Sequence, residues 1–374
     1  MTDKILLKDL LFNRAKVERI AREIQRVHRA FKHDPFVHDV VARFPQLELK
    51  ARISWIAECL KTYLPNDGKR AVEILVRALP APNNPELSDN DFGDFIYASY
   101  SEFVVQNGCS DQRLQLSLAA LYEITQRFSA EDAIRYFINA YPLETLKELL
   151  LWTSASHYHV RRLCSEGTRP KLPWSQKVNI PLTAPLEILS NLFYDTTRFV
   201  TRSVANHLND IAKSDAGLVI ATLTKWRQSG KQRPQEMDYI VRHALRTLVK
   251  EGDAGAMTML GYSDIAPVTV SRVRVPKLVK MNTALEFSFL INAQEDANVV
   301  IDYSLYFQNK AGKLNSKKVF KLTKLALQTN NPVVITKKHM LREHMTTRTL
   351  YRGRHEIEIQ VNGKRLFRNS FLLQ

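Results

Sequence analysis

Apolar residues recur at helical spacing up to about Gly261 and at every second position after Pro267. Within 47–64, Ile53, Ile56, Ala57, Leu60 and Leu64 fall on one helix face, and within 69–79 Val72, Leu75, Val76 and Leu79 do the same. The spacing predicts further helices over 112–128, 131–139, 143–152, 157–165, 185–192, 196–213, 216–227 and 236–251. The connections are short, so sequential neighbours are expected to pack antiparallel. Between Ala130 and Gly252 the helix pairs recur about every 35 to 45 residues, the period of stacked helical-repeat solenoids.

The last segment changes period. Leu285, Phe287, Phe289 and Ile291 alternate with Glu286, Ser288 and Leu290. Val299, Ile301, Tyr303 and Leu305 repeat the alternation, as do Ile357, Ile359 and Val361. The stretches AGK, VNGK and YRGR supply hairpin punctuation. Roughly seven short strands in about 110 residues predict an immunoglobulin-like sandwich. The expected organisation is therefore a helical domain over 1–262 and a small all-β domain over 263–374.

Charge sharpens that division. The 374-residue chain carries 54 Lys/Arg against 38 Asp/Glu, a formal charge of +16. From Tyr262 onward there are 19 basic and 8 acidic residues, an excess of 11, against 35 and 30 in the remainder. A basic C-terminal domain favours nucleic acid or another polyanion as partner. The three cysteines, Cys59, Cys109 and Cys164, are far apart and unpaired in sequence, which argues against a zinc site, an iron–sulfur cluster or a disulfide framework. The ten histidines show no ligand-like or triad-like spacing, so no metal and no cofactor is expected. Charges interrupt the apolar run of MTDKILLKDLLFN, so it does not read as a signal peptide. No stretch of about 18 uncharged apolar residues exists. A cytoplasmic protein without a membrane span is expected.

Candidate chemistry gathers in three places. Ser129 reads as an N-cap and Asp132 as its capping-box partner, which leaves Glu131 surplus to the cap. Glu166 lies at the C-terminal end of a helix, where the macrodipole disfavours an acid, so it needs an arginine partner or a task. Arg161, Arg162 and Arg169 are the candidate partners. Gly167 and Pro170 take the chain out of the helix. Trp174 follows a second proline, as core packing or as an aromatic wall. On the helix over 196–213, Val204, Leu208 and Ile211 form the buried face and Arg202, Asn206 and Asp210 a polar stripe. Read locally, these acids fit a salt-bridged corner and a solvated helix face as well as they fit a site.

Taken together, KDLLFN, LYEITQRFSAEDAIR, VRRLCSEGTRPKLPW, SVANHLNDIAKSD and HALRTLVKEGD resemble the AlkC branch of the AlkC/AlkD DNA alkylation-repair glycosylases. TLYRGRHEIEIQVNG resembles the immunoglobulin-like domain that some members carry. The resemblance implies a HEAT-like solenoid cradling duplex DNA. It also implies hydrolytic excision of cationic lesions such as 3-methyladenine and 3-methylcytosine without full base flipping. Position by position, it implies an acidic cluster of Glu131, Glu166 and Asp210 with Trp174 as the aromatic wall. Arg161, Arg162, Arg169 and Lys213 would then contact phosphates, and Lys317, Lys318, Arg348, Arg352 and Arg354 would extend the clamp from the basic domain. The implied partner is duplex DNA containing alkylated bases, met by a monomer. The chain has Asp132 where the family more commonly has an aromatic, and His207 where NNLND is frequent. A non-catalytic helical-repeat adaptor that binds nucleic acid or a DNA structure stands as the alternative, because solenoids commonly serve as binding scaffolds.

Overall fold

The computed structural model describes residues 6–86, 92–262, 267–345 and 348–374. The chain opens with α1 (Leu7–Leu11), α2 (Arg14–Val27) and α3 (His33–Ala42), none of them among the helices expected from spacing. α2 buries Val17, Ile20, Ala21 and Ile24, a narrow stripe hidden among charges. Next come α4 (Leu49–Tyr63), α5 (Gly68–Ala78), α6 (Ala98–Gly108), α7 (Leu114–Thr125), α8 (Glu131–Ala140) and α9 (Pro142–Trp152). They are followed by α10 (Tyr158–Gly167), α11 (Leu186–Leu192), α12 (Arg198–Ala212) and α13 (Ala216–Ser229). The single helix expected over 236–251 is instead two, α14 (Pro234–Ala244) and α15 (Arg246–Glu251), and α16 (Ala254–Met259) closes the helical part.

The helices stack in layers. α4 packs on α6, α6 on α8 and α8 on α10, while α5 packs on α7 and α9 on α11. Between α4 and α11 most helices thus meet a neighbour in sequence and the next but one, as in HEAT-like repeats. Two local expectations are corrected. The capping box does not form: the residue before α8 is Ala130, with no side-chain cap, and the Ser129 hydroxyl turns to Glu131 instead. Gly167 ends α10 without a positive φ. Its value is closeness, since a Cβ there would sit 2.5 Å from Ile134 Cγ2 of α8.

The C-terminal part is an immunoglobulin-like sandwich. A three-stranded sheet has the order β1-β3-β6, from β1 (Val268–Arg274), β3 (Ala284–Ala293) and β6 (Val333–Met340). The facing sheet runs β2-β10-β9-β4-β5, from β2 (Leu278–Val279), β4 (Ala297–Gln308), β5 (Leu314–Leu327), β9 (Gly353–Val361) and β10 (Lys364–Leu373). β7 (His344–Met345) and β8 (Arg348–Thr349) pair only with each other. Every alternating apolar residue singled out in β3, β4 and β9 is buried in one core. VNGK turns the β9–β10 hairpin, with φ positive at both Asn362 and Gly363. YRGR is not a hairpin turn: it leads from β8 to β9, strands that do not pair.

The chain divides into two compact units, Met1–Ile211 with Lys225–His243 and Ala212–Thr224 with Ala244–Gln374. The second unit thus takes in helical residues before 263, and residues 263–266, where the sequence boundary falls, lie outside the described residues. Inside that unit the helical tail meets the sandwich backbone to backbone. Gly252, left-handed at the end of α15, abuts Gly363 so closely that a Cβ on Gly363 would lie 2.3 Å from the Gly252 Cα.

Candidate active site

Three neighbouring helices each contribute one acid. Glu131 is the first residue of α8, Glu166 the last but one of α10, and Asp210 lies in the final turn of α12. Two guanidiniums string them together. Arg162 Nη1 donates to Glu131 Oε2 at 2.8 Å, and its Nη2 lies 3.8 Å from Glu166 Oε2. Arg169 Nη1 donates to Glu166 Oε1 at 2.5 Å, while its Nε and Nη2 donate to Asp210 Oδ2 at 2.9 and 2.8 Å. The order is Glu131–Arg162–Glu166–Arg169–Asp210, three carboxylates to two guanidiniums.

Burial differs along this ladder. The Glu131 side chain is 26% exposed, whereas those of Glu166 and Asp210 are 6% exposed. Burial by itself would raise the Glu166 carboxyl. Arg162, Arg169 and the Ser203 hydroxyl, which donates to Oε2 at 2.5 Å, outweigh it and hold the group below the usual 4.5. Burial would likewise lower Arg169, and the facing Glu166 and Asp210 raise it instead. Beneath the ladder lies His207, fully buried, whose Nδ1 donates to the Ser165 carbonyl at 3.0 Å. Burial drives its value down to about 4, so the imidazole is neutral at ordinary pH.

The loop after α10 is held by a residue that local sequence reasoning passed over. Arg135 of α8 is completely buried, and its guanidinium donates to the carbonyls of Gly167 and Arg169 at 2.9 Å each and of Gln176 at 2.6 Å. Its signal was an arginine among Ile134, Phe137 and Ile138, on the buried side of its helix. Between those anchors the chain makes a turn at residues 172–175, closed by Ser175 N–H to the Leu172 carbonyl at 3.4 Å. Pro173 takes the second place and Trp174, with φ +69°, the third, as in a type II turn, where glycine is usual. Trp174 is not core packing, because 86% of its surface is exposed. Lys50 of α4, a second residue the sequence did not flag, donates to the Trp174 carbonyl and pairs with Asp132 Oδ2 at 3.2 Å.

The arginines expected at phosphates have other uses here. Arg161 binds Asp195 at 2.5 and 3.1 Å and the carbonyls of Ala155 and Ser156, tying the start of α10 to the approach of α12. Arg162 and Arg169 are committed to the acids, with side chains only 7% and 12% exposed. A guanidinium already bonded to a buried carboxylate cannot be spared for a phosphate without leaving that acid uncompensated. Arg162 and Arg169 therefore hold the ladder's acids, and Arg161 holds Asp195. Lys213 is exposed and belongs to the second compact unit.

Within that unit the five basic residues singled out differ in their partners. Lys317 pairs with the buried Glu358 at 3.1 Å, and Arg354 with Glu356 at 3.2 Å. Lys318 lies over the Phe320 ring and Arg348 over Phe307, at 5.3 and 4.3 Å. Arg352 is exposed, its carbonyl accepting from Gln308. Among the described residues no cluster of His, Cys, Asp and Glu is placed to hold a metal ion, and no helix is long and apolar enough to cross a membrane.

Residues 269–374 match the family described as "Uncharacterised protein YhaZ, C-terminal Ig-like domain". Over 359 residues the chain is 30% identical to YhaZ of Bacillus subtilis strain 168, across 95% of this chain and 96% of that protein. Among solved structures it is similar to the Pseudomonas fluorescens alkylpurine DNA glycosylase AlkC bound to DNA containing an abasic site analog. That likeness has a TM-score of 0.86 at 30% identity, covering 99% of this chain and 100% of the other.

Proposed function

Because the chain belongs to the AlkC family of DNA alkylation-repair glycosylases, we propose that it hydrolyses the N-glycosidic bond of cationic N-alkylated bases in duplex DNA. The observation that carries this reading is the ladder of three carboxylates and two guanidiniums, drawn from three helices, with an exposed tryptophan on the adjoining loop. Substrates of this class are bases such as 3-methyladenine and 3-methylcytosine, which leave as neutral molecules once the C1′–N bond breaks. The bond's electron pair cancels the positive charge on the base, so no strong general acid is required there. Charge develops instead on the sugar, and a water must then reach C1′ and lose a proton.

Carboxylates fixed in advance serve both needs, since they stabilise the oxocarbenium-like sugar without reorganising during the reaction. We assign sugar stabilisation and water positioning to Asp210 and Glu131. Glu166, with one oxygen on Arg169 and the other on Ser203, acts as a positioning residue that aims Arg169 and through it Asp210. The Trp174 ring packs against the sugar or the lesion, and the base need not rotate fully out of the stack. Lys213, Lys318, Arg348 and Arg352 are proposed for backbone contact, with Lys317 and Arg354 in the same unit kept on the buried Glu358 and Glu356. Such contacts position the enzyme rather than read sequence, and each adds about 0.9 to the log–log salt slope.

The test is release of free base from methylated duplex DNA under single-turnover conditions. Asp210→Asn keeps size and most hydrogen bonding but removes the charge. It should bind lesion DNA and lose excision by about 100-fold or more. Rates within a few-fold of wild type, at unchanged stability, would remove Asp210 from the site. Absence of release by the wild type with DNA binding intact would reject the glycosylase reading.

A further inference from the structure

We propose that Lys50 is a positioning residue for Trp174: bound to the Asp132 carboxylate and the Trp174 carbonyl, its ammonium holds the 172–175 turn in the form that presents the ring to DNA. Excision depends on this only through the function proposed above; the latch itself rests on geometry. Arg135 fixes the chain on both sides of the turn, through the carbonyls of Gly167, Arg169 and Gln176. The Trp174–Ser175 peptide lies between those anchors, and its carbonyl accepts from Lys50 Nζ. An L residue with φ near +69° is disfavoured by roughly an order of magnitude in population. One charge-assisted hydrogen bond at the adjoining carbonyl is worth roughly a comparable factor. A modest contact can therefore decide which way the ring points, even though an ion pair with half-exposed partners contributes little to overall stability.

Asp132 completes the arrangement. It neutralises Lys50, so the latch places no net positive charge beside a site meant for a cationic base, and it follows Glu131 directly in α8. The pair ties the start of α4 to the first turn of α8, and Lys50 ties it to the tryptophan loop.

The test uses the full-length protein with the variants Lys50→Met and Lys50→Arg. Trp174 motion is read as time-resolved fluorescence anisotropy, each protein measured against the same protein carrying Trp174→Phe to subtract the other tryptophans. Lys50→Met should raise the amplitude of the fast component from Trp174, and Lys50→Arg should restore it. Single-turnover excision from methylated duplex DNA should fall about ten-fold in Lys50→Met and recover in Lys50→Arg, as expected for a misplaced contact group. Unchanged Trp174 motion in Lys50→Met overturns the proposal, whatever excision does. Loss of DNA affinity with unchanged motion would make Lys50 a phosphate contact instead. If the wild type releases no base but Lys50→Met still loosens Trp174, the latch stands and the glycosylase reading fails.

Discussion

Replacing Trp174 by glycine separates what the fold needs from what the chemistry needs. The ring is 86% exposed, so about a seventh of a surface of roughly 250 Å² is buried, and losing it forfeits about 1 kcal/mol. Glycine also loosens the unfolded chain, at about 0.5–1 kcal/mol. Against both stands the left-handed backbone at φ +69°, where removing Cβ recovers about 1–2 kcal/mol. The terms nearly cancel, so Trp174→Gly should unfold within about 1 kcal/mol of wild type in urea melts followed by circular dichroism. Trp226 makes the contrast: it is 3% exposed and stacked on Phe193 at 4.5 Å, so Trp226→Ala should cost about 3–5 kcal/mol. With stability preserved, excision by Trp174→Gly should still fall at least ten-fold, the scale of a lost positioning contact. A loss of stability above about 2 kcal/mol would mean that the ring supports the fold, and wild-type excision would mean that it does not serve the reaction.

Two further outcomes follow from burial. Asp302 is 5% exposed, and burial pushes its carboxyl up to about 6 despite Lys321, Lys250 and Lys324 nearby. The folded state then holds the proton more tightly than the unfolded chain, so the ionised carboxylate destabilises the fold fully above pH 6 and not at all below pH 3.8. Asp302→Asn should therefore stabilise the protein by up to about 3 kcal/mol at pH 8, an advantage that closes as thermal melts are taken down through pH 6 to below pH 4. Gly167→Ala would drive a methyl to 2.5 Å from Ile134 Cγ2 and should cost about 1–3 kcal/mol. In an Ile134→Ala background the same methyl should cost nothing; an equal cost in both backgrounds would refute the close-approach account.

The periodic apolar positions announced most helices and the strands of the sandwich core, because burial on one face is a local pattern of period 3.6 or 2. The acids were singled out through the family resemblance, since read locally each fitted a structural role as well. Glu131, Glu166 and Asp210 stand 35 and 44 residues apart, one helical repeat each, and stacking repeats brings such residues together. The arginines could not be read the same way. Arg162 meets Glu131 across 31 residues and Arg169 meets Asp210 across 41, so the choice between an internal acid and a phosphate is made by tertiary packing. The capping box failed for a related reason: Glu131 drew the Ser129 hydroxyl, and Lys50, 82 residues from Asp132 in sequence, took the other half of the motif. α2 repeats in Val17, Ile20, Ala21 and Ile24 the spacing that marked the helix over 69–79, so it was legible and was passed over, whereas α3 buries only Phe36, Val37 and Val40.

The contact of Gly252 with Gly363 bears on how such proteins could exchange parts. Residue 262 looks like a natural seam, since periodicity and charge both change there. Yet α15 ends against the tip of the β9–β10 hairpin at a distance that admits no side chain on either partner. A sandwich transplanted from 263 onward would carry a glycine turn shaped for a helix end left behind, and the recipient would have to supply a matching glycine at the same spot. Recombination at that seam is therefore penalised from both sides, whereas a crossover near Ala244 moves the two glycines as a pair. Helix and hairpin should travel together through descent, even where one of them alone would suffice for a particular task.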